Sequence, residues 1–454
     1  MDAVNAVIND INNLAWGPPM LILLGITGIY LTVGLNFLPL RKIGYAFRLM
    51  FKNESQGAGE ISPTSALMTA LAATVGTGNI AGVATAIAMG GPGAVFYMWL
   101  IALVGMATKY AEAVCAVQYR ETDAEGKHVG GPMYYLKNGV GATMPKLGNT
   151  LAYMFAIFGA IAAFGIGNGA QVHSMADVLK TDFGVPAYIT GIATAALVGF
   201  VILGGIQRIA DFSSKLVPAM IFLYMGGAFI VLAVNYAQIP AAFALIFDHA
   251  FNPTAAIGGF AGATVAAAIR YGVARGVFSN ESGLGSAAIP HGAAQTNDPV
   301  RQGYIAMLGT FIDTIIVCTL TALCILTSGA WTSGAWTSGA TGAPLTSMAF
   351  ANSFAGGNYV VAISLAIFAF TTLLGWSYYG ERCWQFLFKE KSVMIYRVLW
   401  VVAILWFANQ KIDFIWNLSD TLNGLMAIPN VIGLLILSPV IFKLTKAYQA
   451  KHST

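Results

Sequence analysis

The sequence predicts an all-α polytopic membrane protein with eleven transmembrane helices, and three observations carry that prediction. Of its 454 residues, 57% are hydrophobic and only 9% charged, against about 25% charged in ordinary soluble domains. Eleven stretches of about 20 apolar residues recur along the chain. Loops rich in Lys and Arg alternate with loops poor in them, as expected when successive spans cross in opposite directions. A soluble core of this size would need a charged surface, and there are too few charges to make one. The net charge of +4 argues for neither nucleic acid nor a polybasic anchor. The bilayer is the partner implied; no nucleic acid and no protein partner is expected.

The stretches lie near residues 18–40, 64–89, 93–118, 149–176, 184–206, 215–236, 256–290, 301–327, 358–381, 394–409 and 421–443. The first lacks a basic leader region and a small-residue cleavage site, so it reads as a retained span. Arg41, Lys42, Arg48 and Lys52 follow it, and basic residues also follow the third, fifth, seventh, ninth and eleventh stretches. Every odd-numbered span therefore ends inside, with the N-terminus outside, the C-terminus cytoplasmic, and a multi-pass cell-membrane location. The four cysteines, Cys115, Cys318, Cys324 and Cys383, have no metal-ligand spacing and read as small buried hydrophobes. After the eighth stretch the pentad Thr-Ser-Gly-Ala-Trp, ending at Trp331, repeats to Trp336. It reads as an external Gly/Ser linker that dips its tryptophans into the lipid interface.

Two spans are interrupted. The 48 positions from Ile61 to Thr108 carry no charge, yet Thr74-Val75-Gly76-Thr77-Gly78-Asn79 sits in their midst. Glycine weakens a helix by about 1 kcal/mol relative to alanine, and chain freed from helical bonding survives in hydrocarbon only beside a protein-lined cavity. The seventh stretch is too long for one crossing and contains the glycine-rich, charged run Arg275–Gly285. Counting spans after the first as 2–6 and 7–11, each set opens with its broken member, and the two sets run in opposite directions. Such a pair in inverted halves points to a secondary transporter with its site near the midplane.

The run Gly90-Gly91-Pro92-Gly93-Ala94-Val95-Phe96-Tyr97-Met98-Trp99, continuing to Gly105, resembles the signature of the alanine/glycine:cation symporters, with Tyr97 where that family usually has Trp. Val75-Gly76-Thr77-Gly78-Asn79 is similar to the unwound segment of LeuT-type transporters. The resemblance covers the whole chain. It implies one transporter domain over 1–454 with a LeuT-type five-plus-five inverted repeat, residues 61–250 and 251–445, and an extra N-terminal helix. It also implies uptake of alanine and glycine coupled to Na⁺, with no organic cofactor; proton coupling on the same fold is the alternative.

An amino acid zwitterion needs partners at both ends, because an unpaired charge in low dielectric costs several kcal/mol. N–H groups around Thr77 and Gly78, helped by Gln171, suit the carboxylate; carbonyls and Ser279 of the second break suit the ammonium. Phe164, Asn168 and Gln171 recur at i, i+4 and i+7, which places them on one helix face. Such polar pairs also serve as interhelical glue. Aligned with LeuT-type proteins, the hydroxyls of Thr371 and Thr372 and the carbonyl of Phe368 would meet the carbonyls of Ala72 and Val75 around sodium. Adjacent threonines also bond back to their own helix. Asn79 is a candidate for a second ion. The same alignment makes Trp376 a wall of the side-chain pocket, opposite Phe278; an interfacial anchor is the other reading. Arg275, Arg270 and Glu281 suggest a structural ion pair or gate.

No nucleophile–base pair or metal cluster falls inside the spans, so a membrane enzyme is disfavoured. A channel would have no need of two zwitterion-binding breaks.

Overall fold

Runs of Ala, Leu, Ile and Val with few charges can bury backbone polar groups in hydrocarbon only as helix, and the chain is helical at each of the eleven apolar stretches. The computed structural model describes residues 12, 16–52, 54–55, 57–252, 264–333, 341–409 and 412–452, with the backbone alone at 412–419. The principal helices are α1 Pro18–Gly34, α2 Ile43–Lys52, α3 Pro63–Thr74, α4 Val83–Gly90 and α5 Ala94–Gln118. Then come α6 Pro145–Phe183, α7 Ala187–Ile202, α8 Gly205–Val234, α9 Ile239–Phe251 and α10 Val265–Asn280. The chain closes with α11 Pro299–Thr327, α12 Ala343–Ser353, α13 Gly357–Phe388, α14 Val393–Phe407 and α15 Ile412–His452.

Among the described residues six helices are long and apolar enough to cross a membrane alone, and α3 with the segment Gly78–Gly90 makes a seventh, bent by 52°. The centre is α5, whose apolar window is 83% buried, whereas only 39% of the α8 window is. Helix α5 packs on α1, α10 and α11, and α13 packs on α3, α6 and α8. The seventh stretch is broken, but later than the run Arg275–Gly285 suggests: α10 continues through Phe278 and Ser279 and stops at Asn280, and Glu281, Gly283 and Gly285 all have positive φ. Residues 256–263 of that stretch lie outside the described residues.

A latch ties together the chain before α3 and the chain after the second break. Ile61 and Ala294 form a parallel bridge, and Gln295 N donates to the Ile61 carbonyl at 2.8 Å. One guanidinium spans the joint. Arg120 Nη1 donates to the carbonyls of Gly292 (3.2 Å) and Ala294 (2.8 Å), and Nη2 to those of Ala58 (3.0 Å) and Thr296 (2.7 Å).

Trp331 departs from expectation. It is only 4% exposed and packs into the apolar core, because the chain turns sharply at the end of α11 and Trp331 N bonds back to the Ile325 carbonyl. Trp336 lies outside the described residues. The four cysteines are buried, as read from the sequence.

Candidate functional site

The first break is three short residues, Val75, Gly76 and Thr77. Helix α3 ends at Thr74, and Val75 turns extended (φ −75°, ψ 95°). Thr77 then precedes a π-helical turn over Gly78–Gly82. The first N–H groups of such a segment have no partner within it, and Thr77 and Gly78 stand at that point. Asn79 compensates part of the loss, since its Oδ1 accepts from Gly76 N at 2.9 Å.

Gly76 is where other helices close in. A Cβ there would lie 2.5 Å from Thr372 Oγ1 and 3.4 Å from Gln171 Oε1. Both oxygens are buried with no hydrogen-bond partner, although buried polar atoms are nearly always paired. Gln171 is aimed by its amide nitrogen, which donates to Thr77 Oγ1 at 3.1 Å and to the Ile166 carbonyl at 3.0 Å. Thr372 is aimed by the packing of Gly375, one residue short of a turn further on, against Ala73. Thr371 Oγ1 bonds back to the Phe368 carbonyl at 3.0 Å. Ala72 and Val75, next in sequence to Ala73 and Gly76, are fully buried.

The second break touches the first. A Cβ on Gly78 would lie 3.0 Å from Ser279 Cα. Here a carboxylate fills the gap: Glu112 Oε1 accepts from Gly283 N (3.0 Å), Gly285 N (3.1 Å) and Asn430 Nδ2 (2.8 Å). Lys109, one turn earlier on α5, is fully buried within electrostatic reach of Glu112, Glu281 and Asp313.

Asp313 is the residue that sequence reasoning missed. It lies in a π-helical turn of α11, Phe311–Cys318, and is fully buried. Its Oδ1 accepts from Asn79 Nδ2 at 2.7 Å; its Oδ2 accepts from Ser279 Oγ at 2.9 Å and Thr314 Oγ1 at 2.7 Å. One carboxylate thus joins the turn that follows the first break to the last turn before the second. The signal was present, because Asp313 is the sole acidic or basic residue between Gln302 and Thr327, and intramembrane ionisable groups are functional by default.

Phe164 and Asn168 do not join Gln171. Asn168 Nδ2 donates to the Trp400 carbonyl at 3.0 Å, and the Phe164 ring lies 5.3 Å from those of Tyr396 and Trp400. The shared face expected for i, i+4 and i+7 is lost because residues Ala163–Gly169 wind as π-helix, and each wider turn rotates the residues beyond it. Trp376 is 1% exposed, with its Nε1 bonded to Glu281 Oε1 at 2.9 Å. Phe278 is buried with the Arg275 guanidinium 5.3 Å from its ring centre. Arg275 pairs not with Glu281 but with Asp420, Nη2 to Oδ2 at 2.6 Å. That pair borders a cavity of about 590 Å³ lined also by Gly82, Ser174, Asp177 and Asp182.

An apolar helical bundle with two abutting broken helices, whose freed backbone and buried hydroxyl, amide and carboxylate groups meet at one point, defines a membrane transporter. The solved structure of MhsT in complex with L-phenylalanine has this fold: it matches at a TM-score of 0.55 and 13% identity, over 85% of this chain and 89% of that one. The model of the sodium:alanine symporter family matches residues 1–454, and the chain belongs to that family. The sodium/alanine symporter AgcS of Methanococcus maripaludis is 48% identical over 99% of this chain and 98% of its own length. The probable sodium/glutamine symporter GlnT of Bacillus subtilis is 36% identical over 97% and 90%.

Proposed function

We propose that the protein is a secondary active symporter that imports alanine and glycine together with sodium. Family membership supports sodium-coupled alanine transport, and AgcS, similar along the whole chain, carries that name. The observation that carries the reading of the site is the convergence of two unpartnered buried acceptors, Gln171 Oε1 and Thr372 Oγ1, on Gly76. Acceptors kept unpaired in apolar surroundings each cost roughly 1–3 kcal/mol. A bound cation or ammonium removes that cost.

In this reading the carboxylate of the amino acid lies on the N–H groups of Thr77 and Gly78, while Gln171 holds the Thr77 hydroxyl with its amide nitrogen and turns its Oε1 toward the bound cation or ammonium. Sodium lies among Thr372, Thr371 and the carbonyls of Ala72, Val75 and Phe368. Asp313, with Asn79 and Ser279, supplies the negative charge that a cation and an ammonium need nearby. Trp376 and Phe278 bound the side chain; Phe164 and Asn168 back that wall from the α14 side. The alternative of proton coupling is not favoured, since the family and both named relatives specify sodium.

The topology proposed with this function is eleven crossings in a five-plus-five inverted repeat after α1, residues 61–250 and 251–445, in the cell membrane. The N-terminus is outside and the C-terminus cytoplasmic. A cysteine placed at Trp336 should react with impermeant reagents only from outside; reaction only from the cytoplasm would refute the orientation. The function itself is tested by alanine uptake into proteoliposomes. Uptake should require an inward sodium gradient, and equal uptake without sodium would end the proposal.

A further inference from the structure

Glu281 sits where backbone preference alone would not put it. It is the first residue of the second break and has φ +58°, a left-handed conformation uncommon outside glycine. Its side chain is buried and points back into the bundle. Oε2 accepts from Ser286 Oγ at 2.6 Å, across the break, and Oε1 accepts from the Trp376 indole at 2.9 Å.

The indole is held on other sides as well. A Cβ on Gly167 would overlap Trp376 Cβ and Cγ, and the ring of Tyr379 lies 5.3 Å away. Gly167 is one turn before Gln171, and Trp376 one turn after Thr372, so these two pairs face each other across α6 and α13. One pair meets at Gly76; the other is closed by the indole. A hydrogen bond is worth about 0.5–1.5 kcal/mol net, so the Glu281 carboxyl oxygen favours the one setting of the ring that points its N–H at Oε1.

We infer that Glu281 is a positioning residue for substrate size, holding the Trp376 indole across the end of the pocket so that side chains larger than a methyl group are excluded. The inference rests on the reading of Trp376 as a pocket wall. It also ties the wall to the break: any rearrangement at Glu281–Ser286 moves the ring with it. The pocket is then at its tightest only while the second break keeps this shape.

The test is competition by alanine, valine and leucine against sodium-driven alanine uptake by the full-length protein in proteoliposomes. Glu281→Met keeps the bulk and removes the acceptor; inhibition by leucine relative to alanine should rise roughly three- to tenfold, the worth of one such bond. Glu281→Gln keeps an acceptor for the indole and should retain the parent ranking. Trp376→Phe removes the donor, and combined with Glu281→Met it should broaden the ranking no further than Trp376→Phe alone. Trp376→Leu reports on the underlying reading. If it admits leucine while Glu281→Met and Trp376→Phe keep the parent ranking, the clamp is refuted and the pocket wall stands. If Trp376→Leu still excludes leucine, the wall is refuted and the clamp with it. Should Glu281→Met fail to fold, Trp376→Phe decides: an unchanged ranking overturns the inference.

Discussion

The two breaks solve the same problem in opposite ways. Both free backbone groups inside a bundle where water is scarce, and both lie against each other at Gly78 and Ser279. At the second, protein groups take the freed donors: Glu112 binds two glycine N–H groups, and Asn430 binds the Gly283 carbonyl at 2.9 Å. At the first, Asn79 takes one donor, while Gln171 Oε1 and Thr372 Oγ1 keep their lone pairs unused. In the proposed reading, the break that the protein completes belongs to the scaffold, and the break left incomplete receives the cargo.

That contrast can be broken, starting with its strongest element. Glu112→Ala leaves Gly283 N, Gly285 N and Asn430 buried without their acceptor and Lys109 without its neighbour. Removing one partner of a buried charged network costs about 3–5 kcal/mol, so the melting temperature in detergent should fall sharply, and added alanine should not restore it. Gly76→Ala comes next. Its methyl group would lie 2.5 Å from Thr372 Oγ1, and overpacking of this kind costs about 1–3 kcal/mol. Alanine uptake should collapse, while Gly82→Ala, whose Cβ meets nothing within 4 Å, should transport normally. Normal uptake by Gly76→Ala would mean that the meeting point is not the site.

Smaller effects sharpen the distinction. Asp313→Asn keeps the shape but removes the charge shared by Asn79 and Ser279. Hydrogen bonds to charged groups are worth about 1.5–3 kcal/mol, so the sodium concentration for half-maximal uptake should rise by at least tenfold, with protein yield unaltered. Replacing Thr371 and Thr372 together by Ala should raise it roughly five- to thirtyfold, the equivalent of one or two kcal/mol. An unchanged sodium response in the double variant would remove both hydroxyls from the ion.

How far the sequence could be read depended on the range of the cause. Apolar stretches and glycine-bearing interruptions act locally, so α3 and the break at Val75–Thr77 were legible, and the second break was placed within Arg275–Gly285, although α10 runs on to Asn280. Gln171 was legible as a polar residue on an apolar helix. Its separation from Asn168 was not, because a helical period of about 3.6 residues assumes a regular α-helix and the chain winds as π-helix over Ala163–Gly169. The partner of Arg275 lies 145 residues away along the chain and those of Glu112 lie 171, 173 and 318 away, beyond any periodicity. Asp313 carried its own signal, a lone carboxylate in an apolar helix, yet two of its three partners, Asn79 just after the first break and Ser279 just before the second, are brought together only by the fold.

The Arg120 joint has a consequence for how motion can occur. A single planar guanidinium holds four carbonyls, from Ala58 on one side and Gly292, Ala294 and Thr296 on the other. Separating the two segments stretches the Ala58 bond and the backbone bonds at Ile61, while the three carbonyls of the other segment stay on the guanidinium. Arg120 therefore works first as a brace for Gly292–Thr296 and only secondarily as a tie to Ala58. Hydrogen exchange in Arg120→Ala should rise more across residues 292–296 than across residues 57–61.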